Sequence, residues 1–165
     1  MYTNNPLKIC LIDDDMQMRE MLKDFFLGKF PSSDVAIYST GEEALSSLIN
    51  EPNLIVLDYH LDSIEATALN GIQVLIKLKD RFPNVPVIFL SSQEKAEIAA
   101  NTMKYGAWDY IVKNESAFQR LEILVHKILG HAELSKNLGT QKFFNRLLFL
   151  LLIAIIIGMI VMRIR

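Results

Sequence analysis

The sequence predicts an α/β fold, a doubly wound five-stranded parallel sheet followed by a C-terminal hydrophobic helix. Three observations carry that expectation. Short apolar runs alternate five times with segments of helical periodicity. The third and fourth runs are apolar at nearly every position, as strands covered on both faces are. Alternation of this kind implies right-handed crossovers that place helices on both sides of the sheet.

The elements follow in order. "LKICLI" (7–12) reads as the first strand, and Met18, Met21, Leu22 and Phe25 line one face of a helix over roughly 15–29. "DVAIYS" (34–39) is the second strand; after "STGEE", with Thr40 or Ser39 as cap, Ala44, Leu45, Leu48 and Ile49 form the next apolar face. "NLIVLD" (53–58) is the third strand. The connection that follows it, "YHLDSIEATALN" (59–70), is about twice the usual length for such a loop. A helix at 71–82, a strand "PVIFLSS" (86–92), a helix at 94–106, a strand "DYIVK" (109–113) and a helix at 117–129 complete the pattern.

Composition narrows the class. The chain has 165 residues, which suits one compact domain, and its hydrophobic content of 51% is concentrated in "LLFLLLIAIIIGMIVM", 147–162. Residues 1–132 carry 12 Lys and Arg against 18 Asp and Glu, whereas 133–165 carry 5 against 1. An acidic globular part argues against nucleic acid as a partner, since phosphate contacts need a basic face. The single cysteine, Cys10, has no internal disulfide partner, and no Cys or His cluster has zinc-ligand spacing. Nothing at the N-terminus reads as a signal peptide, so the acidic domain is expected in the cytoplasm.

In a doubly wound sheet function gathers outside the carboxyl ends of the strands. The strand ends bring together Asp13 and Asp14 after the first strand, Asp58 at the end of the third, Ser91 in the fourth and Lys113 after the fifth. Clustered carboxylates repel one another unless a cation sits among them. Mg2+ takes carboxylate and water oxygens and leaves room for phosphate, so these acids form a candidate Mg2+ seat. A carboxylate beside that ion can attack a phosphoryl group while Lys113 and the Ser91 hydroxyl offset charge on its oxygens.

"LIDDDMQMR", "LIVLDYHL", "PVIFLSS" and "YGAWDYIVKN" resemble, in order and spacing, the motifs of the CheY-like receiver domain of bacterial two-component response regulators. The resemblance spans residues 7 to about 131. It implies the flavodoxin-like strand order 2-1-3-4-5. It also implies Asp58 as phosphoacceptor, Asp13 and Asp14 as Mg2+-side acids, the main-chain carbonyl of His60 as a further metal ligand, Lys113 as phosphate partner, Ser91 as the hydroxyl that follows the phosphoryl group, and Tyr110 as the aromatic that turns inward with it. The imidazole of His60 is expected to face outward, and Asp15 to cap the first helix. Such a chain is a phosphoacceptor and not an enzyme, with a sensor histidine kinase or phosphotransfer protein upstream and an unnamed protein downstream.

Two departures bear on this reading. Receivers usually have Pro after the lysine, often through a cis bond; here it is Asn114, for which a cis bond would cost about 3 kcal/mol, so a trans bond is expected. The 59–70 connection is longer than the family pattern and lacks its Pro. Together these leave a competing reading, a pseudo-receiver that acts as an interaction scaffold regardless of phosphorylation.

The polar stretch 130–142, with Gly130 and Gly139 as expected helix ends, divides the chain into a receiver at 1–132, a linker at 133–142 and an apolar segment at 143–165. The uncharged run alone has 16 residues, about 24 Å as a helix, against a hydrocarbon core of about 30 Å. Extended back to Phe143, with Arg146 reaching the headgroups, it is read as a transmembrane helix that anchors a cytoplasmic receiver to the inner membrane.

Overall fold

The computed structural model describes residues 6–61 and 68–164. Five strands, β1 (Leu7–Ile12), β2 (Ser33–Tyr38), β3 (Leu54–Asp58), β4 (Val87–Ser91) and β5 (Asp109–Val112), alternate with five helices, α1 (Met16–Lys29), α2 (Gly41–Ser47), α3 (Gly71–Arg81), α4 (Ala96–Lys104) and α5 (Ala117–Ile164). The sheet runs β2-β1-β3-β4-β5 and every pairing is parallel, as the sequence predicts. Cys10 pairs with Ile55 and Leu57 with Phe89, which sets the ends of β1, β3 and β4 side by side at one edge.

Period-two alternation divides the core. Cys10, Ile12, Ile55, Leu57, Val87 and Phe89 face one way and join Ala44 of α2 and Val74, Leu75 and Leu78 of α3 in a single buried cluster. Ile9, Leu11, Leu54, Val56, Ile88 and Leu90 are equally buried and face the other way, the side on which α1 packs against β1 and β2. Burial on both faces explains the nearly continuous apolar runs of β3 and β4.

Local details shift by a residue or two. On α1 the buried positions are Leu22 and Phe26; Met21 is exposed, and Phe25 instead meets Phe118 with ring centroids 5.2 Å apart. Helix α2 ends at Ser47, which leaves Ile49 exposed beyond the apolar face assigned to it. Thr40 is the cap of α2, accepting from the Glu43 amide, while Ser39 donates its N–H and hydroxyl to the Glu43 carboxylate. Asp15 caps α1 as expected, accepting from the amides of Gln17 and Met18. Much of the 59–70 connection, residues 62–67, lies outside the described residues.

The tail requires a larger correction. Ala117–Ile164 is one helix of 48 residues, so the stretch 133–142 is helical and Gly130 and Gly139 lie inside the helix they were expected to end. A glycine costs an interior helical position only about 1 kcal/mol relative to Ala, less than the neighbouring helix formers together supply. Among the described residues no helix is long and apolar enough to cross a membrane. That overturns the transmembrane helix at 143–165, the membrane as partner and the anchoring at the inner membrane. Length is the physical shortfall: 16 uncharged residues make about 24 Å, and a longer span must enclose Asn145 and Arg146. The hydrophobic C-terminal segment is thus the distal part of α5 and not a separate membrane element. By contacts the chain forms two compact units, Met1–Ile123 and Leu124–Arg165, and the whole sheet belongs to the first.

Candidate functional site

The ends of β1, β3, β4 and β5 converge on three carboxylates and one ammonium. Asp13 follows β1 and is almost fully buried; Asp58 is the last residue of β3 and 5% exposed. Asp14 is half-buried, and one carboxylate oxygen from each of Asp13, Asp14 and Asp58 lies within 4.8 Å of the others. Lys113, just past β5, is brought in by the β4–β5 pairing, its amide donating to the Ser91 carbonyl at 2.7 Å. Its Nζ donates to Asp13 Oδ2 at 2.8 Å and stands 3.2 Å from Asp58 Oδ1.

Asp13 is held from several directions. Its Oδ1 accepts from the Asp15 amide at 2.9 Å, and its main-chain carbonyl accepts from the Arg19 guanidinium at 2.5 Å. Asp58 is less satisfied, because its Oδ1 is buried and has no hydrogen-bond partner even with Lys113 nearby. Lys113 sets a single positive charge against three clustered carboxylates, so the cluster favours a further cation. This donor set fits Mg2+, a hard ion that takes carboxylate oxygens.

Electrostatics reflect the crowding. Burial pushes the Asp58 carboxyl up to about 6; Lys113 opposes this, and Asp13 adds to it. Burial raises Asp13 as well, against the hydrogen bond and charge of Lys113. Burial by itself would lower the Lys113 ammonium, but the bond to Asp13 and the charges of Asp58 and Asp13 prevail and hold it above its ordinary value. Lys113 therefore stays a cation between two acids.

Ser91 is fully buried at the end of β4, and its Oγ accepts from the Gln93 amide at 3.2 Å. Tyr110 is buried too, its hydroxyl donating to the Gln93 carbonyl at 2.8 Å and its ring stacked on Phe89. Both residues thus grip the segment that leads into α4, whose first turn has no side-chain cap. The peptide before Asn114 is trans, as expected, and Asn114 accepts from the amide and hydroxyl of Ser116 to open α5.

His60 lies two residues beyond Asp58, and its ring is not one of the grouped carboxylate-type donors. The expectation that the ring faces outward needs correction. The residue is half-buried, Nε2 is enclosed without a hydrogen-bond partner, and the ring packs edge-on to Tyr59 at 5.0 Å. A surface groove of about 560 Å³, lined by Tyr59, Ile98 and Lys104 among others, does not include Asp13, Asp14 or Asp58. The chemistry belongs to the shallow acidic cluster, where orphaned polar atoms and perturbed titrations coincide.

Sequence reasoning missed the hold of Arg19 on Asp13 and the role of Gly71. A Cβ at Gly71 would stand 2.5 Å from the Asp58 carbonyl oxygen, so the first turn of α3 approaches the end of β3 more closely than any side chain allows. A glycine opening a helix directly after a long loop was the available signal.

A doubly wound sheet with acids at two strand ends and a lysine at a third defines a phosphoacceptor of the receiver class. Residues 9–125 match the response regulator receiver domain, and the chain belongs to that family. Its members are phosphoacceptors and not enzymes, and the Asp13, Asp14 and Asp58 cluster matches the family's Mg2+ site. Among curated relatives, the regulatory protein LuxO of Vibrio cholerae is 32% identical over 105 residues, 63% of this chain and 22% of its own length. The response regulator protein FleR of Pseudomonas aeruginosa is 27% identical over 132 residues, 80% of this chain and 27% of its own. The chain thus spans about a quarter of the length of such relatives. The receiver domain of the Francisella response regulator 1452 superposes with a TM-score of 0.66 at 29% identity, covering 78% of this chain and 99% of that one. The receiver domain of a LuxO repressor protein from Vibrio parahaemolyticus gives 0.68 at 23% identity, over 79% and 95%, which speaks to the fold.

Proposed function

We propose that the chain accepts a phosphoryl group on Asp58 from the phosphohistidine of a sensor histidine kinase or phosphotransfer protein, and signals through contacts with a downstream protein. The observation that carries this reading is the buried Asp58 carboxylate at the end of β3, ion-paired with Lys113 at 3.2 Å and grouped with the carboxylates of Asp13 and Asp14.

An Asp58 oxygen attacks phosphorus while the bond to the donor nitrogen breaks and its electron pair leaves with the imidazole. Lys113, already 3.2 Å from Asp58 Oδ1, neutralises charge on a phosphoryl oxygen as it arrives. Ser91 Oγ accepts from the Gln93 amide, and its hydroxyl turns to donate to a second phosphoryl oxygen. Asp13 and Asp14, with the His60 carbonyl, would hold Mg2+, which when bound supplies charge stabilisation to the transferring group. Because Ser91 and Tyr110 share Gln93, a shift of the Ser91 hydroxyl towards the phosphoryl group disturbs the same segment that Tyr110 holds, and so re-presents the face beginning at α4.

The scaffold reading rested on Asn114 and the long connection. Lys113 reaches both Asp13 and Asp58 with Asn114 in a trans linkage, which favours a competent site. The test is the intact mass of the full chain after incubation with a small-molecule phosphodonor, with and without Mg2+, beside Asp58→Ala. A Mg2+-dependent gain of one phosphoryl group in the parent, absent from the variant, is expected; no gain in a folded parent would turn the assignment to the scaffold.

A further inference from the structure

We infer that Glu42, outside the carboxylate cluster, is a positioning residue that sets the backbone following Asp58 and thereby the Mg2+ affinity of the site. The inference rests on the phosphoacceptor reading only in its purpose, since its readout is the metal itself.

Two adjacent glutamates open α2, and they do different work. Glu43 bends back to the amide and hydroxyl of Ser39 and closes the cap of its own helix. Glu42 turns away and accepts from the Leu69 amide at 2.7 Å, across 27 positions of sequence. Leu69 ends the long connection and packs against the buried cluster, and Asn70 follows it as the cap of α3, in a reciprocal box with Gln73. Gly71 comes next. Its amide donates to the Tyr59 carbonyl at 3.1 Å, and its α-carbon presses on the Asp58 and Tyr59 backbone so closely that a Cβ would meet the Asp58 oxygen at 2.5 Å and the Tyr59 oxygen at 2.9 Å.

The path from Glu42 to the site is therefore short and continuous: carboxylate to Leu69 amide, one residue to the cap, one more to the glycine that rests on Asp58. A second contact reinforces it. Gly41, beside Glu42, lies so near Val74 of α3 that a Cβ there would overlap Val74 Cγ2. The first turns of α2 and α3 are thus locked together, and α3 bears on the end of β3. Glu42 adds a hold on the residue that precedes the cap of α3. The carbonyl of His60, proposed as a metal ligand, lies in the backbone between Tyr59 and Leu61 that this arrangement fixes. Groups that orient metal ligands from outside the first shell affect affinity without touching the ion.

The experiment is Mg2+ titration of the full chain by calorimetry, comparing the parent with Glu42→Ala, Glu42→Gln and Glu43→Ala. Glu42→Ala is expected to weaken Mg2+ binding about fivefold, less than a full charge-assisted hydrogen bond contributes, because the bond is exposed and acts through the backbone. Glu42→Gln keeps an oxygen for the Leu69 amide and is expected to restore affinity to within about twofold. Glu43→Ala removes the carboxylate that accepts from the Ser39 amide and hydroxyl while the Thr40 cap remains, lowering stability but leaving Mg2+ affinity unchanged. In the amide spectrum, the Leu69 signal should move in Glu42→Ala and not in Glu43→Ala. Equal affinity in the parent and Glu42→Ala, or an equal loss in Glu43→Ala, would overturn the inference while leaving phosphorylation of Asp58 to its own mass measurement. A parent that takes no Mg2+ overturns both.

Discussion

Two regions of the molecule reverse the usual rule of burial in opposite senses. At the carboxyl ends of β1 and β3, charged groups are buried: Asp13 and Asp58 are almost wholly removed from water. In the distal part of α5, large apolar groups are exposed, with Phe144, Leu147, Leu148, Phe149, Leu150 and Leu151 each more than half open. A buried polar group and an exposed apolar patch are the two informative exceptions in a folded chain. They differ in what the surroundings supply. The acids sit in a frame set by four strand ends, so their partners and their need for a cation can be read directly. The apolar stretch is helix, and its signal along the chain is composition rather than converging partners.

The largest expected effect comes from removing the Lys113 ammonium from the acidic cluster. Lys113→Ala leaves Asp13 and Asp58 facing each other without an ammonium, and unpairing a buried charge costs about 3 kcal/mol. Urea unfolding at pH 8 without Mg2+ should show that loss. Saturating Mg2+ should restore much of it, because the ion binds only the folded cluster. A loss that Mg2+ leaves untouched would mean the ion does not sit among these carboxylates.

Acidity separates the two regions next. Asp58 has its carboxyl raised from 3.8 to about 6, mainly by burial, so in the folded state the proton is held more tightly than in the unfolded chain. Its contribution to the stability of the metal-free protein is therefore fully present below about pH 4 and is lost as pH rises through about 6. Asp13, raised for the same reason, acts in the same direction. Asp58→Asn removes the titration, and should be more stable than the parent above pH 6 and indistinguishable from it near pH 4 in paired denaturant titrations. Mg2+ must displace that proton, so binding to the parent strengthens as pH rises through the same window. A parent and variant that stay parallel from pH 4 to 8 would contradict the burial of Asp58.

The fold was legible in the sequence because its signals are periodic and repeated: five apolar runs, each followed by a helical face, leave little choice of architecture. The site was legible because parallel topology carries residues 100 positions apart, such as Asp13 and Lys113, to one edge. The contacts of Arg19, Glu42 and Gly71 were not, since a side chain that bonds to a distant main-chain atom leaves no pattern along the chain. Residues 130–142 misled for a related reason. Glycine and polar side chains signal a break, yet a helix continues wherever successive carbonyls still find their amides, and Gly130 and Gly139 supply those as well as any residue. The segment 143–165 was read as a membrane span by extending the apolar run 147–162 back through Arg146, yet no described helix is long and apolar enough to cross a membrane.

The two smaller predictions set one glycine of the site against one of the long helix. Gly71→Ala drives a methyl into the Asp58 and Tyr59 backbone, which cannot yield as a flexible side chain can; a cost of about 2 kcal/mol and weaker Mg2+ binding are expected. Gly130→Ala meets nothing within 4 Å, in the interior of α5 and exposed to solvent. There the methyl only narrows the conformations of the unfolded chain, and a gain of about 0.5–1 kcal/mol in helix stability is expected. Circular dichroism during thermal melting should show the Gly130→Ala helix persisting to higher temperature with Mg2+ affinity unaltered. A loss of helix at Gly130→Ala would mean that the chain needs a break there, as the sequence pattern first suggested, and the continuity of α5 across 130–142 would be wrong.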